Sequence, residues 1–213
     1  NTDGVDIVSS QNVTLRHLTL STGDDDISVK SGLAGTGEAA ASSNITISDI
    51  DVLRGHGISV GSETANGIGR ITLHNLTFTG TDNGLRIKSG RDRGNRIGPL
   101  IADHLKMSDV HVPLVITDSY GGNGGYSADS ISAISPQPVG RYTPFIHDIS
   151  VNHLTATGAD SAGIISGLPE APLKNTSLQN IKISAHHGLQ SPYLVGIRRH
   201  RGHTTFPHFL PSH

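Results

Sequence analysis

Apolar residues in this chain alternate with polar ones over short stretches only, and the stretches resemble one another. One set reads Asn12-Val-Thr-Leu-Arg-His-Leu, Asn44-Ile-Thr-Ile-Ser-Asp-Ile, Arg70-Ile-Thr-Leu-His-Asn-Leu, Phe145-Ile-His-Asp-Ile and Leu178-Gln-Asn-Ile-Lys-Ile, with a looser copy at Leu100-Ile-Ala-Asp-His-Leu. A second set lies between them: Gly4-Val-Asp-Ile-Val, Asp26-Ile-Ser-Val-Lys, Gly57-Ile-Ser-Val-Gly, Gly84-Leu-Arg-Ile-Lys, Pro113-Leu-Val-Ile-Thr and Gly163-Ile-Ile-Ser. Period-two alternation over a few residues predicts short strands, and no helical stripe competes with it. Anchored on Val5, Ile27, Ile58, Leu85, Leu114 and Ile164, the second set repeats at steps of 22, 31, 27, 29 and 50 residues. Strands that recur in the same direction at this spacing, without crossover helices, pair in parallel. They predict an all-β fold, a right-handed single-stranded parallel β-helix forming a partial solenoid. A single coil cannot bury its own apolar face, so stacked neighbours supply the core.

Composition supports this reading. Of 213 residues, 26 are Gly and none is Trp, and small and β-branched residues replace the large side chains that fill sandwiches and bundles. A net charge of −2 gives no sign of bulk attraction to nucleic acid or acidic lipid, and no apolar run is long enough to span a bilayer. Without Cys there is no disulfide framework and no thiolate metal site. The repeat is interrupted at Ser31–Ser43, Gly90–Pro99 and Gly121–Arg141, all read as loops. It fades near residue 185. We therefore divide the chain into a β-helical region, 1–185, read as the C-terminal part of a longer domain, and an irregular His-, Arg- and Pro-rich tail, 186–213. The tail holds His186, His187, His200, His203, His208 and His213, at irregular spacings that weigh against a metal tract. The chain begins within a motif and lacks an initiator Met, which reads as a fragment. An exposed first coil then carries a risk of self-association along its open sheet edge.

Stacking gives the polar residues a meaning. Equivalent positions on adjacent coils lie about 4.8 Å apart. Two residues before each anchor stand Asp3, Asp25, His56 and Asn83, so three acids and a histidine (Asp24 precedes Asp25) gather on successive rungs. Asp24, Asp26, Arg86 and Lys88 have outward parity. Asp25 has inward parity and needs a bend before Ile27 to reach solvent. Crowded carboxylates repel, which raises one pKa and yields a general acid beside a carboxylate base, the equipment of glycoside hydrolysis. Arg86 and Lys88 make an anion site suited to a carboxylate-bearing sugar. Asn12 and Asn44 begin equivalent strands and suit a side-chain hydrogen-bond ladder. Gly121-Gly-Asn-Gly-Gly-Tyr-Ser-Ala-Asp is read as a loop, not a calcium repeat.

Asn1-Thr-Asp3, Gly23-Asp-Asp25, Gly55-His-Gly57 and Arg86-Ile-Lys88 resemble, in this order and spacing, the four signature motifs of the polygalacturonases of glycoside hydrolase family 28. The resemblance covers residues 1 to 120 well, and to about 185 by repeat. It implies inverting hydrolysis of α-1,4-galacturonosyl linkages in pectin or polygalacturonate. By motif, Asp24 resembles the general acid, Asp3 and Asp25 the pair that activates water, and His56 the residue that tunes the acid. Arg86, Lys88 and Tyr120 resemble the substrate binders. No cofactor or metal, no nucleic acid and no membrane is implied, and the expectation is a secreted monomer. Asp26 stands where Cys or Asn is usual in the family. Two other readings keep the fold: a pectate-lyase-like enzyme, and a non-catalytic carbohydrate-binding fragment.

Overall fold

The computed structural model describes residues 2–37, 40–121 and 134–191, with the strands at 194–195 and 198–200. The predicted His-rich tail falls largely outside these residues, as do most of the Gly121–Arg141 loop and its Gly-Asp run.

The chain winds as stacked coils. The first contains β1 (Val5–Val8) and β2 (Gln11–Ser21), and the second β3 (Ile27–Lys30) and β4 (Ser43–Arg54). The third contains β5 (Ile58–Gly61) and β6 (Ile71–Thr79), and the fourth β7 (Asn83–Lys88), β8 (Arg96–Ile97) and β9 (Leu100–Ser108). The fifth contains β10 (Val112–Thr117), β11 (Phe145–Ile146) and β12 (Ile149–Ser161), and the sixth β13 (Ile164–Ser166), β14 (Leu173–Lys174) and β15 (Ser177–His187). Beyond them lie β16 (Leu194–Val195) and β17 (Arg198–His200), which pair with β14 and β15. Every pairing is parallel. A six-stranded sheet runs β1-β3-β5-β7-β10-β13 and a seven-stranded sheet β17-β15-β12-β9-β6-β4-β2, with short pairs β8-β11 and β14-β16 between them. The fold is the parallel β-helix that the repeat predicts. Among the described residues no helix is long and apolar enough to cross a membrane.

Register explains the core. Ile7, Val29, Val60, Ile87, Ile116 and Ile165 stack as one column, and Ile47, Leu73, Ala102 and Val151 as another. These side chains are at most 4% exposed, so each rung buries its apolar atoms against the rungs above and below. The long strands turn a corner at His17, Asp49, Asn75, His104, His153 and Asn180, all at φ between 50° and 59°. Asn, Asp and His tolerate this left-handed conformation better than β-branched residues. The corner shifts parity by one, which is why Leu15 and Leu18 both face inward across Arg16-His17. The expected asparagine ladder is present, with Asn44 Nδ2 donating to Asn12 Oδ1 at 2.6 Å.

Three local expectations are corrected. Ile164 is not the equivalent of Leu114: it pairs with Val115, and Ile165 with Ile116. Two adjacent isoleucines leave the phase of the alternation undetermined. The fifth copy of the first set is Ile149-Ser-Val-Asn-His-Leu154, in register with Leu100–Leu105. Phe145-Ile146 instead pairs with Arg96-Ile97, so the Gly90–Pro99 loop contains a two-residue strand too short to show alternation.

Candidate active site

The predicted rung order is carried by backbone hydrogen bonds. Gly4 N donates to Asp25 O at 2.9 Å and Val5 N to Asp26 O at 3.1 Å. In a regular strand successive carbonyls point to opposite sides. Here two in a row face the first coil, so the chain bends at Asp25-Asp26. The bend turns Asp25 to the outer face, against Ser59 and Arg86, but does not bring it to solvent as expected: the side chains of the next rungs cover it.

Asp25 is 3% exposed and sits among donors. Its Oδ1 accepts from Ser59 Oγ at 2.8 Å and from Arg86 Nη2, and its Oδ2 from Lys88 Nζ at 3.0 Å. Arg86 Nε donates to Ser59 Oγ at 3.0 Å. Lys88 Nζ lies 5.4 Å from the centre of the Tyr120 ring. Two cations thus share one carboxylate under a tyrosine. Burial, and then the neighbouring Arg86, hold the Lys88 ammonium below its ordinary pKa, against the pull of Asp25.

Asp24 lies beside this cluster. Its Oδ1 accepts from the Asp25 N–H at 2.8 Å and faces His56 Nδ1 at 2.9 Å. Single ligand atoms of Asp24, Asp25 and His56 fall within 4.8 Å of one another. The other His56 nitrogen, Nε2, is 3.0 Å from Asp82 Oδ2. Each ring nitrogen of His56 thus faces a carboxylate. Gly55 (φ 130°) and Gly57 (φ 77°) flank the ring and let neighbouring coils approach closely. A Cβ on Gly55 would stand 2.4 Å from Asp26 Oδ2, and one on Gly57 2.3 Å from Asn83 O. A hollow of about 290 Å³ opens beside His56, bounded by Thr22, Arg54, Gly80 and Asp82.

Asp26 contradicts its outward parity. The same bend that turns Asp25 to the outer face turns Asp26 inward, and it is 0% exposed. Its carboxyl accepts from Gly57 N at 3.0 Å and Thr22 Oγ1 at 3.0 Å. Burial pushes its pKa up to about 6, against these donors and with help from the Asp25 charge. One raised acid is therefore one that parity had placed in solvent, and burial outweighs like-charge repulsion as the cause.

Asp3 occupies the first rung but is engaged elsewhere. Lys30 Nζ lies 2.9 Å from both Asp3 Oδ2 and Asp6 Oδ1. Burial raises the Asp3 pKa, partly countered by Lys30, while Ser28 and Lys30 outweigh burial and lower that of Asp6. The structure thus joins Asp24, Asp25 and His56 with Arg86, Lys88 and Tyr120, and binds Asp3 to a neighbouring lysine.

Sequence reasoning missed Ser59, Lys30, Asp82 and Asp118. Ser59 stands in register between Ser28 and Arg86 on the outer face, a signal the repeat contained. Asp82 precedes Asn83 as Asp24 precedes Asp25, so the same column would have found it. Asp118 left no such trace. It is fully buried, and neither oxygen has a partner among the described residues. Burial, and then the Glu170 charge, hold its pKa well above the ordinary range. It borders a cavity of about 260 Å³ with Arg91, Tyr120 and Leu168.

The family profile of glycosyl hydrolases family 28 matches residues 1–191. The chain belongs to that family. An endo-polygalacturonase of Pectobacterium carotovorum subsp. carotovorum is 38% identical over 135 residues, which is 63% of this chain and 32% of the relative. A probable polygalacturonase of Arabidopsis thaliana is 32% identical over 193 residues, 88% of this chain and 39% of the relative. The solved polygalacturonase from Erwinia carotovora ssp. carotovora superposes with a TM-score of 0.73 at 29% identity, covering 93% of this chain and 47% of that one. An exopolygalacturonase from Thermotoga maritima shares the fold, with a TM-score of 0.71 at 22% identity over 93% of this chain and 44% of that one. The chain therefore spans less than half the length of each of these relatives.

Proposed function

We propose that this chain hydrolyses α-1,4-galacturonosyl linkages of polygalacturonate, the acidic backbone of pectin, by an inverting acid–base mechanism. One observation carries the reading. Asp25 is shared by Arg86 and Lys88, so one negative charge faces two positive ones, beside the Asp24 carboxyl. The residual positive charge suits a uronate carboxylate and holds the sugar where an acid stands ready. Family membership and the polygalacturonase relatives support the same substrate class.

In this reading Asp24 protonates the glycosidic oxygen as the bond to the anomeric carbon breaks. His56, held between Asp24 and Asp82, keeps the acid oriented and governs its protonation. A water attacks the anomeric carbon from the opposite face and gives its proton to a carboxylate base. Inversion needs acid and base about 6.5–9.5 Å apart to admit that water. Asp24 and Asp25 have ligand oxygens closer than 4.8 Å, and Asp25 already accepts from Ser59, Arg86 and Lys88, so we assign the base to Asp3 with Asp25 supporting it. Arg86, Lys88 and Tyr120 bind the uronate. The catalytic region is the repeat, residues 1–185, acting as a secreted monomer on an extracellular polymer.

The test is release of reducing ends from polygalacturonate, with the anomer of the fresh product read by proton NMR. Asp24→Asn is expected to lower kcat by about 10²–10⁴-fold, the usual worth of a general acid. Undiminished turnover in Asp24→Asn, or an unsaturated product absorbing in the ultraviolet, overturns the assignment. The second outcome points instead to lyase chemistry.

A further inference from the structure

The seven-stranded sheet carries a cluster that the proposed chemistry does not use. His74 (β6), Asp103 and His104 (β9) and His153 (β12) come from three successive coils. In register His74 faces Asp103, and Asp103 faces Asn152. The Asp103 carboxylate sits at the centre. Its Oδ2 is 2.8 Å from His104 Nδ1 and 3.8 Å from His74 Nδ1, while its Oδ1 is 3.0 Å from His153 Nδ1. One ligand atom each from His74, Asp103 and His104 lies within 4.8 Å of the others. The His104 ring packs against both neighbours, with centroids 5.4 Å from His74 and 4.7 Å from His153.

We propose that His74, Asp103 and His104 form a surface site for a divalent transition-metal ion of the zinc class, with His153 positioning the carboxylate. The donor set of two imidazoles and one carboxylate suits zinc, nickel or copper and is poor for calcium or magnesium, which prefer oxygen. Ligands about 2.0–2.2 Å from a tetrahedral ion stand roughly 3.4 Å apart. The 2.8 and 3.8 Å separations bracket that value, so small rotations close the site. The imidazole side chains are 54% and 57% exposed, which leaves them free to turn and leaves water to fill the fourth position. His153 holds the second carboxylate oxygen, the supporting contact that ligating carboxylates commonly have.

The site would link coils. Each coil of a solenoid touches only its neighbours, so an ion held by β6 and β9 adds a bond across that interface and stabilises the stack by mass action. This inference is independent of the catalytic reading, because the cluster lies on the other sheet.

The experiment titrates ZnCl₂ into the full chain at pH 7.5, counting zinc per chain by equilibrium dialysis and following Tm. His104 has φ 59° and stands in the corner column that Asn75 and Asn180 also occupy, so His104→Asn preserves the backbone. The double variant His74→Gln/His104→Asn is expected to bind one zinc fewer per chain, and to lose the zinc-induced rise in Tm. Counting a loss of one equivalent separates this site from the terminal histidines and from the Asp24-Asp25-His56 cluster. His153→Asn is expected to weaken binding about tenfold without removing the site. An unchanged zinc count in a double variant with wild-type circular dichroism overturns the proposal. So does a wild-type chain that binds no zinc at millimolar concentration.

Discussion

The two large sheets share one apolar ladder and differ on their outer faces. At the centre of the six-stranded sheet four outer residues are polar yet withdrawn from water: Ser28 and Ser59 are 0% exposed, Arg86 7% and Lys88 6%. On the seven-stranded sheet the outer side chains remain in solvent, and even Ile101 is 44% exposed. The inner columns therefore make the fold, and desolvation on one outer face makes the candidate site. Buried charge has to be matched group by group, whereas exposed charge is screened and needs no fixed partner.

Substitutions separate the two faces. The largest stability effect is expected for Arg86→Met, which leaves Asp25 buried with half its cationic support. Loss of one partner of a buried pair costs about 3–5 kcal/mol, readable by urea denaturation. Near-neutral stability in this variant would mean that the outer face of the short sheet is solvated after all. Next comes pH. Asp26 has a folded pKa of about 6 against 3.8 unfolded, so its folded state binds the extra proton. Its contribution is fully present below about pH 4 and is lost as pH rises through 6. Tm should therefore increase from pH 7 to pH 5, and Asp26→Asn should flatten that rise. Asp118→Asn removes a buried carboxyl without a partner among the described residues. It is expected to stabilise by about 1 kcal/mol, raising Tm by about 2–4 °C at pH 8 and by less at pH 5. The smallest effect belongs to the long sheet, where Lys106→Ala at an exposed position should change stability by under about 0.5 kcal/mol.

Much of this was legible because the chain repeats. The columns Ile7–Val29–Val60–Ile87 and Asn12–Asn44 follow from alignment of the segments, and so does the gathering of Asp24, Asp25 and His56 near Arg86 and Lys88. What failed did so where alternation carries no information. At Ile164-Ile165 both residues are apolar, and the phase is lost. At Asp25-Asp26 the backbone bends, and parity assigns to solvent an acid, Asp26, that is buried. Asp3 was placed on its rung, but Lys30 was not weighed as its partner. Asp118 meets Arg91 and Leu168 around one cavity, and the Glu170 charge, only once the coils are stacked, and no local pattern encodes that.

The parallel register has a further consequence. Because rungs are tied by backbone hydrogen bonds, a side chain can change its place on the candidate site only by whole steps: one coil, about 4.8 Å, or two residues along a strand, about 6.6 Å. Distances between acid, base and cation are in effect quantised. Fine adjustment is left to local breaks in the lattice, of which the Asp25-Asp26 bend is one. A redesign that regularised that bend would improve the strand and displace the chemistry by a full step.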